Sequence, residues 1–267
     1  MTEQNHIPKL LDGAEPIYMQ GNNVGILCLH GLAATPSEMR WYAEHLNQQG
    51  YTAYAPRLAG HGADYRDLQR ITWHDWYLSA LDGYHVLSQH CDQVFVSGLS
   101  MGGLLALLIG AHYPVAGIIA MGVPIKQITN RPRWFINLYK RFQPFQNHAD
   151  KSDFPRQLRD EQLRRNEPNL GRVRYDTWAV QVALELTTMI ELVRDNAQNI
   201  QQPTCLIYSK SDKTVSYDHL DAMQNLLAHT PIDTHTLEHS GHIMTQDSEC
   251  ATVFDIATAF IREKITH

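Results

Sequence analysis

Val94-Phe-Val-Ser-Gly-Leu-Ser-Met-Gly-Gly103 is the stretch that decides the fold of this 267-residue chain. Val94 to Ser97 is a strand-like run, and Met101 to Tyr113 is a small-and-apolar helical run ended by Pro114. Between them Gly98-Leu-Ser-Met-Gly102 reads G-x-S-x-G at a strand–turn–helix junction. So sharp a turn forces its central residue into a strained conformation and lifts that side chain above the sheet. Glycines two before and two after remove Cβ atoms that would clash there. The helix N-terminus behind Ser100 favours developing negative charge. Ser100 is therefore the candidate nucleophile.

The alternation continues outward in both directions. Upstream, Val24 to His30 is a continuous apolar run that suits a parallel strand buried on both faces. Thr35-Pro36-Ser37-Glu38 reads as a capping box. Met39, Tyr42, Ala43 and Leu46 then share one helical face, Gly50 stands where a helix-terminating glycine belongs, and Tyr51 to Ala55 is a strand. Thr72 can cap a helix running to about His90. Downstream, Ala116 to Met121, Thr204 to Ser209 and Asp233 to Glu238 are strands, with helices over 216–229 and 248–264. Alternating strands and helices predict a parallel sheet with helices on both faces. The rhythm breaks from 124 to 200, which holds Pro132, Pro144, Pro155 and Pro168 and two helix-like pieces, about 155–167 and 177–199. The expected organisation is a core of 1–123 and 201–267 with a helical insertion at 124–200.

Composition excludes several classes. With 43% hydrophobic and 19% charged residues the chain is not disordered, and no apolar run approaches the ~18 residues of a membrane span. A net charge of −6 argues against a dedicated nucleic-acid binder. The charge is uneven: residues 126–178 carry twelve Lys/Arg against six Asp/Glu, on a chain whose remainder is strongly acidic. That stretch also holds Trp134, Phe135, Ile136, Leu138, Tyr139 and Phe142. A basic, amphipathic face of this kind can support weak association with membrane surfaces. Cys28, Cys91, Cys205 and Cys250 form no C-x-x-C, and they read as buried reduced thiols. The first twenty residues lack a signal pattern, so a cytoplasmic location is expected.

A serine hydroxyl needs a base, and the base an acid, in the chain order Ser, acid, His. Of fifteen histidines only His239 and His242 follow the last strand, and Gly241 turns the chain just before His242. His242 is the expected base and His239 the rival. Asp212 directly follows the strand ending at Ser209, at the carboxyl edge where catalytic loops collect. It is preferred as the acid over Asp195, Asp218 and Asp221. Two amides should hold the oxyanion, those of Met101 and of Leu32 in His30-Gly-Leu-Ala-Ala34. His30 and His61 read as structural. No zinc-spaced Cys/His set, P-loop or G-x-G-x-x-G is present, and the expected chemistry needs no metal or organic cofactor.

Taken together, Leu27-Cys-Leu-His-Gly-Leu32 with Thr35-Pro36, Pro56-Arg-Leu-Ala-Gly-His-Gly62, Trp73-His-Asp-Trp76, Gly98-Leu-Ser-Met-Gly-Gly103 and Ser240-Gly-His242 resemble the α/β-hydrolase superfamily. Within it the chain is similar to bacterial carboxylesterases and monoacylglycerol lipases. The resemblance implies an α/β-hydrolase fold whose 124–200 insertion caps the site. It implies Ser100, Asp212 and His242 as a triad, Leu32 and Met101 as oxyanion donors, and a small-molecule carboxylic ester as substrate. The family often carries a bulky aromatic where Leu32 stands, and 124–200 matches it in position rather than in sequence. Thioesters, lactones and acyl transfer remain alternatives for the same triad. A hydrolase-shaped binding protein without turnover is the alternative of another class.

Overall fold

A computed structural model describes residues 7–127, 131–148 and 152–265. Residues 1–6 of the N-terminal stretch, and Asp150 and Lys151 of the basic segment, lie outside these. The main sheet has seven strands in the order β1-β3-β2-β4-β5-β8-β9. They are β1 (Ile17–Met19), β2 (Val24–Leu29), β3 (Thr52–Ala55), β4 (Gln93–Leu99), β5 (Gly117–Met121), β8 (Thr204–Ser209) and β9 (Ile232–Leu237). All neighbours pair in parallel except β1, which runs antiparallel to β3. Parallel pairs need crossovers, and these supply the helices α1 (Arg40–Gln48), α2 (Trp73–Ser88), α3 (Met101–His112), α6 (Gln181–Asp195) and α7 (His219–Leu226), while α8 (Cys250–Lys264) follows the last strand.

The apolar runs behave as their continuity demands. All six residues of β2, of β8 and all five of β5 are buried. Ten of the twelve residues of α3 are buried, the burial expected of a helix that is hydrophobic all round. Two apolar clusters form, one per sheet face. One centres on α2, α3 and α6, the other on α1 and α8. Cys28 and Cys205 are fully buried inside strands, and burial pushes both thiols well above their ordinary range. Thr72 starts α2 as expected: Asp75 Oδ2 accepts from the Thr72 N–H at 2.8 Å and its hydroxyl at 2.7 Å.

Between β5 and β8 the chain makes α4 (Arg133–Phe142), a two-stranded antiparallel ribbon of β6 (Phe145–Asn147) and β7 (Thr177–Ala179), and α5 (Phe154–Arg164) before α6. α6 departs from the helix expected over 177–199, because its first residues pair as β7. Met189, Ile190 and Val193 place α6 in the same apolar cluster as α3, so it serves as the crossover that carries the chain back to β8. The stretch before it docks on α1: Trp41 Nε1 donates to both Glu167 oxygens at 2.9 Å, and the Arg165 guanidinium stacks 4.1 Å over the Trp41 ring.

The expected capping box at Thr35 does not form. Residues Pro36–Met39 are a 3-10 turn whose Thr35 makes no side-chain cap, and Glu38 is turned inward instead. Its carboxylate accepts the Gly31 amide, a stronger partner in a dry setting than a solvated helix start would be.

Candidate active site

Parallel register lines up the carboxyl ends of four strands: Leu99 opposite Met121, Met121 opposite Ile207, and Ser209 opposite Leu237. Ser100, Gly122, Asp212 and His242 all follow these ends. Ser100 has φ 56 and ψ −116, a conformation that L residues avoid. The turn holds because its N–H reaches the Met121 carbonyl at 2.8 Å and its own carbonyl accepts from Gly103 at 3.0 Å. A Cβ on Gly98 would sit 2.1 Å from the Gly102 backbone, and one on Gly102 would sit 2.1 Å from the Leu29 carbonyl. The G-x-S-x-G spacing is thus a packing requirement at both glycines.

Asp212 and His242 meet at 2.7 Å, Oδ2 to Nδ1. The Asp212 side chain is 1% exposed and that of His242 13%. Oδ1 of Asp212 accepts the amides of Thr214 at 2.7 Å and Val215 at 2.9 Å. Burial works to raise this carboxyl, but the hydrogen bond and charge of His242, with those two amides, hold it below its usual range. With Nδ1 committed to Asp212, Nε2 is left as the nitrogen that can take a proton from a hydroxyl. Gly122, at φ 52, connects this pair to the elbow. A Cβ there would lie 3.5 Å from both Asp212 Oδ2 and His242 Nδ1, while Gly122 directly follows the residue that accepts the Ser100 amide. His239, the rival base, is exposed.

The loop carrying His242 is laced by groups that sequence reasoning did not single out. Glu249 Oε2 accepts the amides of His239 at 2.9 Å and Ser240 at 2.7 Å, and Asp247 accepts that of Gly241 at 2.7 Å. Burial would raise Glu249, and these amides outweigh it and lower the carboxyl. The cue in the sequence was two acids beginning the last helix, where side chains satisfy free amides.

Leu32 lies in the turn after β2, with its side chain half-buried, and Met101 opens α3 with its side chain fully buried. Neither amide finds a protein acceptor among the described residues. Gly31, the residue before Leu32, comes close to the elbow: a Cβ on it would lie 3.7 Å from the Ser100 Cβ. His30 and His61 are fully buried behind this turn, with ring centroids 5.0 Å apart. Surface cavities of about 560, 370 and 250 Å³ lie elsewhere and are not lined by Ser100, Asp212 or His242. No group of three or more His, Cys, Asp or Glu among the described residues is placed to hold a metal ion. No helix is long and apolar enough to cross a membrane among the described residues.

The chain is similar over most of its length to known hydrolases. The profile of the serine aminopeptidase S33 family matches residues 22–249. The chain is 31% identical over 261 residues to the thermostable monoacylglycerol lipase of Bacillus sp. (strain H-257), covering 97% of this chain and 98% of the relative. It is 25% identical over 236 residues to a carboxylesterase of Bacillus subtilis (strain 168), covering 88% and 91%. Among solved structures, one reported for the metagenome-derived lipolytic enzymes LipS and LipT superposes with a TM-score of 0.82 at 26% identity, covering 96% of this chain and 100% of that one.

Proposed function

The chain belongs to the serine aminopeptidase S33 family of α/β hydrolases, and from that premise we propose that it cleaves carboxylic esters through an acyl-enzyme on Ser100. It is a hydrolase of the lipase and esterase kind. The observation that carries the mechanism is the 2.7 Å contact of His242 Nδ1 with a buried Asp212, at the sheet edge where Ser100 is held in a strained turn. His242 Nε2 takes the Ser100 proton as Oγ attacks the ester carbonyl. The Leu32 and Met101 amides receive the oxyanion, and His242 returns the proton to the leaving alcohol. Water then enters and its oxygen attacks the acyl carbon as His242 takes its proton; His242 returns that proton to Ser100 Oγ as the acyl–Oγ bond breaks and the carboxylic acid leaves. Asp212 holds the imidazole tautomer and stays ionised throughout.

The relatives that span nearly the whole chain are a monoacylglycerol lipase and a carboxylesterase, which favours short to medium acyl esters, monoacylglycerols among them. The cap in this reading is the 124–200 insertion, whose last helix, α6, shares an apolar cluster with α3 and so joins the insertion to the core. On α4, Trp134 is 67%, Leu138 48% and Phe142 82% exposed, one apolar stripe at helical spacing. Arg133 is paired with Glu191 and Lys140 bonds Gln181, so the stripe rather than loose cations is the part that meets amphiphilic substrate.

The test is a panel of p-nitrophenyl esters of rising chain length, monoacylglycerols, acyl-thioesters and aminoacyl p-nitroanilides. Esters should lead it. Ser100→Ala and His242→Ala should each lower ester turnover by roughly 10⁴-fold or more, since such residues act as a unit. Near-native turnover in Ser100→Ala would end the reading.

A further inference from the structure

The turn after β2 is gripped at both ends of one residue. Ala34 N–H reaches the Gly31 carbonyl at 3.4 Å, and Ala33 stands in the left-handed region at φ 57. His30 Nδ1 donates to the same Gly31 oxygen at 2.8 Å, while its Nε2 accepts the Leu58 amide at 3.2 Å, which sets the tautomer. The Gly31 carbonyl and the Leu32 N–H share one planar trans peptide, so holding the oxygen aims the amide in the opposite direction. From the other side, Gly31 N–H donates to Glu38 Oε2 at 2.8 Å.

Glu38 is 2% exposed, and its second oxygen meets Arg172 Nη2 at 3.0 Å. Arg172 Nε is buried and finds no hydrogen-bond partner among the described residues. Two more bonds tie the same stretch to the turn: Tyr175 N–H to the Ala33 carbonyl at 2.8 Å, and Thr35 Oγ1 to the Val173 carbonyl at 2.8 Å. Helix initiation does not require this carboxylate, since Thr35 forms no cap with it. A buried ion pair rarely outdoes apolar packing in stability, and its best use is to fix geometry.

We propose that Glu38, braced by Arg172, is a positioning residue that clamps Gly31 so that the Leu32 amide faces the reacting carbonyl, coupling the 172–175 stretch to the oxyanion hole. This rests on the Ser100–Leu32–Met101 assignment above. Oxyanion donors act on the transition state more than on bound substrate, so a misaimed amide lowers kcat and leaves KM nearly alone.

The experiment compares Glu38→Ala, Glu38→Gln, Arg172→Met and the Glu38→Gln/Arg172→Met double variant with the parent on p-nitrophenyl butyrate. Near-UV circular dichroism reports folding, and the Gly31 amide resonance in ¹⁵N-labelled protein reports the clamp. Deleting an oxyanion donor outright costs roughly 10²–10³-fold in kcat, so loosening one through Glu38→Ala should cost about 10- to 100-fold. KM should stay within about threefold, the part that positioning does not touch. Glu38→Gln keeps an oxygen for Gly31 and should recover most of that loss. The Gly31 resonance should move in Glu38→Ala, and the double variant should lose no more than the worse single one. Native-like kcat in a folded Glu38→Ala, a loss confined to KM, or additive losses would each overturn the proposal. If Glu38→Ala does not fold, Glu38→Gln, Arg172→Met and their cycle decide it. A parent enzyme that resists fluorophosphonate defeats the Ser100 reading itself. A reactive parent with an equally reactive Glu38→Ala defeats only the clamp.

Discussion

Acidification from pH 7 to 5 should weaken the fold through two histidines behind the oxyanion turn. His30 and His61 are both fully buried. Burial pushes His30 from 6.5 down to about 4, with the Arg57 charge adding to it and the Gly31 hydrogen bond opposing. Burial, with the neighbouring His30 and Arg57, pushes His61 down to about 3 against the pull of its backbone bonds. In the unfolded chain both imidazoles take protons near their ordinary value, whereas in the fold both stay neutral well below it. The unfolded state therefore binds more protons throughout this interval. The stabilisation is complete above about pH 6.5 and is lost as the pH falls toward the folded values. With about 1.36 kcal/mol per pKa unit, each site loses about 2 kcal/mol between pH 7 and 5, about 4 kcal/mol together. That is a large part of the roughly 5–15 kcal/mol that holds a domain folded. Burial also lowers His45, His148 and His219, which act in the same direction. Urea titrations followed by tryptophan fluorescence at pH 5, 6 and 7 measure the loss, and His61→Gln should show about half of it. Equal unfolding free energies at pH 5 and 7, within about 1 kcal/mol, would refute buried neutral histidines at both positions.

Gly122→Ala should slow ester turnover and cost about 1–2 kcal/mol, because φ 52 strains an L residue and the new methyl would touch Asp212 and His242; native rate and stability together would contradict this. Trp134→Ser with Phe142→Ser should leave a soluble short ester unaffected and reduce hydrolysis of monoacylglycerol in vesicles, and equal vesicle rates would remove α4 from the path of substrate. Asp212→Asn should be severe in turnover yet milder than His242→Ala, since the imidazole keeps a neighbour but loses the charge that stabilises its protonated form.

Much of the sheet and the candidate site could be read from local pattern. Glycine spacing around Ser100 announces a packing constraint only a few residues long, Asp212 stands one short loop beyond the fully buried β8, and His242 one short loop beyond the more polar edge strand β9. What escaped depends on distant partners or brief elements. Glu38 sits three residues after a threonine, the signature of a cap, yet its partner Arg172 is 134 positions away. β1 is three residues long and owes its existence to β3 beside it. α4 opens after Pro132 on bulky Trp134 and Phe135, weak helix formers, and buries only Ile136, so its apolar stripe faces outward and does not join the core. The last residues before α6 carry helix-compatible side chains but are drawn into the ribbon by Phe145–Asn147.

The backbone at Ser100 sets conformational cost against the role proposed for its side chain. Glycine would adopt φ 56 and ψ −116 with ease, while serine stands there at a cost of about 1–3 kcal/mol. Ser100→Gly should therefore melt at a higher temperature than the parent while losing its turnover. A chain preserved only for its shape would drift toward glycine at this position. On the proposed reading, conformational ease and chemistry make opposite demands on one Cα at position 100, and the residue there is the one that carries a hydroxyl.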